Sequence, residues 1–258
     1  MSTKQEPTQE RARQDGVMYR LADAKEQRDY RNSRGQKVDS VTNVTKMLDK
    51  PALLFWAWSL GRDGMTLDQG RAPAANIGTV AHARCEAWLR DMMFDEAGID
   101  PEVLRQSDYS LERFKQWWGE QGFQLDTTEY AMVSDEHNIG GRLDIRAFRG
   151  DGPAPKRVLL DLKTSKGFYS EMFLQVGGYA ELQANPHLTK TASGLWAPAP
   201  PENVFEFDEV WIARIGKDEP GDMDAVEVPQ SEMQLARRAF VGLARAYYDV
   251  KAVQARRK

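Results

Sequence analysis

Residues 158–162, Val-Leu-Leu-Asp-Leu, are a nearly unbroken apolar run with one carboxylate inside it. Such a run marks a β-strand buried on both faces, and a carboxylate placed there needs a partner. Lys163 follows two positions after Asp161. Side chains alternate along a strand, so Asp161 and Lys163 face one way while Leu160 and Leu162 face the other. Upstream, Gly150-Asp151-Gly152-Pro153-Ala154-Pro155 is turn chemistry, joining GRLDIRAFR to KRVLLDLKT as an antiparallel hairpin. A register symmetric about that turn pairs residues whose numbers sum to 305, which sets Asp144 opposite Asp161; a bulge would shift it. Two acids across a ladder lie about 5 Å apart at Cβ and resist joint ionisation unless a cation lies between them. A hard divalent ion, Mg²⁺ or Mn²⁺, suits such oxygen ligands. On its own an Asp-x-Lys on a strand is more often an exposed ladder pair, and the apolar setting of Asp161 is what argues otherwise.

The flanking segments add polar groups at helical spacing. A helix from Gly78-Thr79 to about Met93 carries His82 and Glu86 at i, i+4, on one face; imidazole and carboxylate both ligate divalent ions, although most such pairs are ordinary helix neighbours. A helix over Ser170–Ala184 carries Gln175 and Tyr179 at the same spacing, with Gly177 and Gly178 between them. Paired glycines cost a helix roughly 1 kcal/mol each, so close packing of a helix or a ligand is expected there. A Gln amide and a Tyr hydroxyl suit a phosphate oxygen or a base edge, with core packing of Tyr179 the plain alternative. Glu129, on the preceding strand, is a further candidate for a metal or a contact beside it. His137 and His187 lie in turn-rich segments and are expected to be exposed.

Along the chain, residues 1–37 are charged and expected to be a flexible tail, with order beginning near Val38. Residues 38–77 are predicted as a helical region, with Gly61–Ala75 as loop. The core spans 78–215, with strands at Gln124–Ser134, Gly141–Arg149, Lys156–Thr164 and Val204–Ile215 and a helix over Leu104–Gln121. Residues 230–258 form a basic helix; from Ser231 onward seven Lys or Arg face only Glu232 and Asp249, which suits either phosphate contacts or a solvated face. The single cysteine, Cys85, excludes an intrachain disulfide, a Cys-rich zinc site and a four-Cys iron–sulfur cluster, and a reducing cytoplasm fits it best. No run of 18 apolar residues suggests a membrane span, and the polar first residues do not resemble a signal peptide. The net charge of −4 argues against coating nucleic acid by bulk charge but leaves room for a local basic groove.

Four segments, GTVAHARCE (78–86), GGRLDI (140–145), LLDLKTS (159–165) and QVGGYA (175–180), together resemble the PD-(D/E)XK nuclease superfamily, in particular its RecB-like and phage-type exonuclease branch. Residues 40–61 are also similar to the N-terminal helical region of phage-encoded members. The resemblance implies an α/β, restriction-endonuclease-like core in which a mixed central sheet is flanked by helices. It assigns metal binding to His82, Asp144, Asp161 and the Leu162 carbonyl, catalysis to Lys163 with the two aspartates, and substrate positioning to Gln175 and Tyr179. The implied activity is a Mg²⁺-dependent DNA exonuclease of recombination or repair, without an iron–sulfur cluster. An annealing or recombination protein would be its partner, and a bacterial host cytoplasm its location. A non-cleaving DNA-end binder, a structure-specific endonuclease and an enzyme acting on RNA are the alternatives. Leu143 stands where the founding signature has proline.

Overall fold

A carboxylate-bearing strand buried on both faces requires helices on both sides of its sheet, and the protein is built in that way. Its computed structural model describes residues 18–21, 29–48, 51–216 and 222–257, and for 51–53, 56 and 67–76 the backbone alone. In chain order the elements are β1 (Met18–Tyr19), β2 (Asp39–Ser40), α1 (Val41–Thr45), α2 (Pro51–Arg62), α3 (Leu67–Leu89), β3 (Met93–Phe94), α4 (Pro101–Gln121), β4 (Phe123–Ser134), β5 (Ile139–Arg149), β6 (Lys156–Lys163), α5 (Ser170–Ala184), β7 (Leu188–Lys190), β8 (Trp196–Pro198), β9 (Glu209–Ile215), β10 (Met223–Glu227) and α6 (Gln230–Ala255). The fold is α/β. One mixed sheet runs β10-β9-β6-β5-β4-β7-β8, with β2 added in parallel beside β5. β6 pairs antiparallel with β5 and parallel with β9, so it is central.

Two cores cover the two faces. Val158, Leu160 and Leu162 of β6 pack with Cys85 of α3 and Phe114, Trp117 and Trp118 of α4. Leu159, between them, packs on the other side with Val176 and Leu182 of α5 and Phe240 of α6. Adjacent residues thus enter opposite cores, which is why the run is apolar almost throughout. Asp100 caps α4 by accepting the Glu102 N–H, and Gly122 ends it in the left-handed conformation at φ 69°.

Several expectations are corrected. Residues 61–75 are not a loop: α2 runs to Arg62 and α3 begins at Leu67, since Ala72, Ala74 and Ala75 are the strongest helix formers and carry the backbone past Gly70 and Pro73. The strand predicted from Val204 starts only at Glu209, because Phe205 and Phe207 pack into the α5/α6 core and the Phe205 N–H bonds to Gln183. Much of the 1–37 tail lies outside the described residues. Within it, Tyr19 and Tyr30 are buried, so order begins before Val38, anchored by aromatic side chains. His187 is buried, with its Nε2 3.2 Å from the Tyr130 hydroxyl, and His137 pairs with Glu181; the chain leaving α5 turns inward to add β7 to the sheet. In the basic helix, Arg237 binds Glu181 and Glu206, and Lys251 binds Asp39. Among the described residues no helix is long and apolar enough to cross a membrane.

The paired glycines of α5 are explained by α6. A Cβ on Gly177 would sit 2.7 Å from the carbonyl carbon of Ala236, and one on Gly178 would sit 2.8 Å from the Phe240 ring. Backbone cannot yield as a flexible side chain can. Gly177→Ala is therefore expected to destabilise the protein by about 1–3 kcal/mol, despite a gain of about 1 kcal/mol in helix propensity. Urea denaturation measures this, and a variant as stable as the parent would contradict the close approach.

Candidate functional site

The hairpin register holds as far as the chemistry and then opens. β5 and β6 pair from Arg149↔Lys156 to Ile145↔Leu160, each pair summing to 305. The next pair, Asp144 with Asp161, is outside the ladder. Instead Oδ2 of Asp144 accepts the Leu162 N–H at 2.8 Å. On the other side, β4 and β5 pair at Thr128↔Ile145 and Tyr130↔Leu143 and skip Glu129 and Asp144 between them. Glu129 has φ 53°, a left-handed backbone inside a strand, which costs a non-glycine residue about 1–2 kcal/mol. Both strands exchange faces at this point. Leu143 packs in the α5/α6 core, whereas Ile145, of the same parity, packs in the α3/α4 core. Tyr130 packs on the α5 side, whereas Thr128 donates to Glu86 of α3 at 3.2 Å.

The break opens a cleft of about 1060 Å³, walled by His82 and Glu86 of α3, Glu129 of β4, Arg142 and Asp144 of β5, Lys163 of β6, and Gln175 and Tyr179 of α5. Lys37, Ser40, Asn43 and Lys46 from the N-terminal segment and Lys251 of α6 complete it. Gly78 sets the position of α3, since a Cβ there would lie 2.5 Å from Oγ1 of Thr164. The helix therefore abuts the end of β6, and His82 follows one turn later. The structure thus gathers His82, Asp144, Lys163, Gln175 and Tyr179 around one space, with Asp161 behind Lys163.

Asp161 is fully buried, its Oδ2 is in contact with the Lys163 ammonium, and its Oδ1 accepts no hydrogen bond among the described residues. Burial pushes its carboxyl up to about 7, with Lys163 opposing and the neighbouring Asp144 adding to the rise. Burial alone would lower the Lys163 ammonium, but Asp161 and Asp144 outweigh it and keep it charged. Burial lowers His82, with Lys163 acting in the same sense and Asp144 against it, so the imidazole is neutral and open to coordination. The Gln175 amide donates to the Tyr179 hydroxyl at 2.8 Å. Burial, then the fields of Asp161 and Asp144, hold that hydroxyl protonated.

The two candidate acids beyond the aspartates have partners of their own. Glu86 accepts hydrogen bonds from Tyr19, from Thr128 and from Arg90 at 3.1 Å, so it anchors residues 18–19 to α3. Glu129 is ion-paired with Arg142. Arg142 is absent from the sequence expectations, although its signal was available: it precedes Asp144 by two on one strand. Asp39, bound by Lys251 at 2.6 Å and Tyr247 at 3.0 Å, was not foreseeable, because those contacts span more than 200 residues.

Among the described residues no three His, Cys, Asp or Glu side chains already form a cluster fit to hold a metal. The donor chemistry nevertheless suits a hard divalent ion: two carboxylates, one of them buried with an oxygen that has no hydrogen bond, a neutral imidazole and a nearby backbone carbonyl.

No protein-family model and no curated protein matches this chain. Among solved structures, one described as "Crystal structure of SSO0001" aligns over 68% of this chain and 73% of its own, at 15% identity and a TM-score of 0.31.

The raised carboxyl of Asp161 fixes a sign. A carboxyl that titrates near 7 when folded, against an ordinary value of 3.8, leaves the native state binding more protons than the unfolded state between those limits. Stability should fall as pH rises through that window. Asp161→Asn removes the effect, and Asp144 still favours the Lys163 ammonium. In chelator, the stability of the variant relative to the parent should therefore improve between pH 4 and pH 8 by on the order of 2–4 kcal/mol. Parallel stability–pH curves for the two proteins would show that Asp161 is not held in this way.

Proposed function

We propose that this chain is a divalent-metal-dependent deoxyribonuclease that cleaves phosphodiester bonds, acting from DNA ends. The observation that carries this reading is the buried Asp161 carboxylate, held by the Lys163 ammonium at one oxygen and without a hydrogen bond at the other, with Asp144 opening onto the same cleft. A solvated ladder pair would have no reason for such burial. Asp144, Asp161, His82 and the Leu162 carbonyl would hold Mg²⁺ or Mn²⁺. Such an ion supplies Lewis acidity toward a water molecule and a phosphate oxygen.

The remaining work falls to side chains of the cleft. Lys163 stays protonated beside the two aspartates and donates hydrogen bonds to the phosphate as negative charge builds on its oxygens. The Gln175 amide and Tyr179 hydroxyl, already joined to each other, position the strand from α5. Lys37 and Lys46 on the cleft wall neutralise neighbouring phosphates. The preference for DNA over RNA, the exonuclease form, a recombination or repair setting and an annealing or recombination protein as partner come from the resemblance of the four sequence segments. A reducing bacterial cytoplasm accords with the single buried thiol of Cys85.

The test is a digestion time course on linear, nicked and closed-circular DNA with each end labelled in turn. With Mg²⁺, linear DNA should vanish while closed circles persist, and chelator should stop the reaction. Asp161→Ala and Lys163→Ala should each slow cleavage by roughly a hundredfold to a thousandfold or more. Undiminished cleavage by Lys163→Ala would refute the assignment, and tight DNA binding without cleavage by the parent would favour an end-binding protein.

A further inference from the structure

Arg142 has no place in the chemistry described so far, and its setting is unusual. Its side chain is only 9% exposed, yet it lies on the cleft wall. Arg142 and Asp144, two residues apart on β5, both line this cleft, so that carboxylate is a candidate partner for the guanidinium. Arg142 pairs instead with Glu129, the residue opposite Asp144 whose backbone at φ 53° breaks the ladder. The fold accepts strain at Glu129, and the outcome is a guanidinium engaged away from Asp144.

Charge shows what that arrangement serves. With Asp161 behind them, the acids of the cleft (Asp39, Glu86, Glu129, Asp144) balance its cations (Lys37, Lys46, Arg142, Lys163, Lys251) at zero, and a divalent ion changes the sum to +2, the sign needed to receive a phosphodiester. A guanidinium presents paired N–H groups that match two phosphate oxygens, which an ammonium cannot do. Were Arg142 to lie on Asp144, it would compete with the ion for the same carboxylate. A carboxylate partner on the neighbouring strand keeps it close to the substrate without that competition.

We infer that Arg142 is a substrate-binding residue, which grips the phosphate next to the scissile one, and that Glu129 is a positioning residue, which keeps the guanidinium off Asp144. The inference rests on the nuclease reading above and adds a contact to it.

Arg142→Ala would take the ion-pair partner from a buried acid and is a poor test, since such losses often unfold a protein. The double variant Glu129→Gln/Arg142→Gln keeps the summed charge of the site and retains hydrogen-bonding groups. Affinity is measured by anisotropy of a fluorescein-labelled linear duplex, with Ca²⁺ replacing Mg²⁺, across a range of salt concentrations. Circular dichroism and urea denaturation report the fold. The double variant should bind about tenfold more weakly or worse, with the slope of log affinity against log salt reduced by about one. In Mg²⁺ it should raise KM more than it lowers kcat. Glu129→Gln alone should need several-fold more Ca²⁺ than the parent to bind the duplex, since the released guanidinium turns to Asp144, and Arg142→Lys should fall between parent and double variant in affinity. A folded double variant with parental affinity and salt slope would overturn the inference, as would Glu129→Gln binding with the parent's Ca²⁺ requirement. A parent protein that fails to bind DNA would instead overturn the nuclease reading, and this inference with it.

Discussion

The ion pair between Asp161 and Lys163 is the constraint to which the rest of the site answers. A charged pair in the middle of an α/β sandwich is costly to desolvate, and here one carboxylate oxygen has no hydrogen bond. A hydrophobic pair would stabilise β6 better, so stability does not account for it. Its setting accounts for how the pair persists. β6 is central, paired to β5 and β9, and covered by aromatic residues of α4 on one face and by α5 and α6 on the other. That packing fixes the backbone on both sides of Asp161, so the carboxylate cannot swing out to water.

The second constraint is the break in β4 and β5. An uninterrupted ladder through Glu129 and Asp144 would keep strand parity and send Leu143 and Ile145 into the same core. The exchange of faces sends them into opposite cores and frees Asp144 from the ladder. The Asp144 carboxylate then takes the Leu162 amide, which leaves its other oxygen uncommitted by that bond. The left-handed backbone at Glu129 is thus a local cost tied to the geometry of the whole cleft. Strain of this sort persists where surrounding packing over-determines it.

Much of this was legible in the sequence because it is local. The turn at 150–155 set the register of β5 against β6 by symmetry, and the end of α5 was marked by Asn185-Pro186. Parity placed Asp161 and Lys163 together and Leu160 and Leu162 opposite. The break at Glu129 was not legible, since a left-handed glutamate leaves no compositional trace; glycine or asparagine would have. Strands of two to five residues such as β2, β7 and β10 carry too few positions for a period to register. His187 read as exposed because turn composition was taken for surface, whereas Tyr130 and the Asn185 carbonyl satisfy the ring inside.

The N- and C-terminal segments bear on the site through contacts that no local pattern records. β2 lies beside β5, and Asp39 within it binds Lys251 and Tyr247 of α6. Burial works against the Asp39 carboxyl, but the Lys251 and Tyr247 hydrogen bonds outweigh it and hold it below its ordinary value. α6 is in turn pressed onto α5 through Gly177 and Gly178, on the helix that carries Gln175 and Tyr179. A displacement of α6 would therefore reach the cleft by two routes: through Asp39 at its wall, and through α5 at its polar pair. The basic residues of α6 that meet acids, Arg237 and Lys251, act within the molecule to fix that helix.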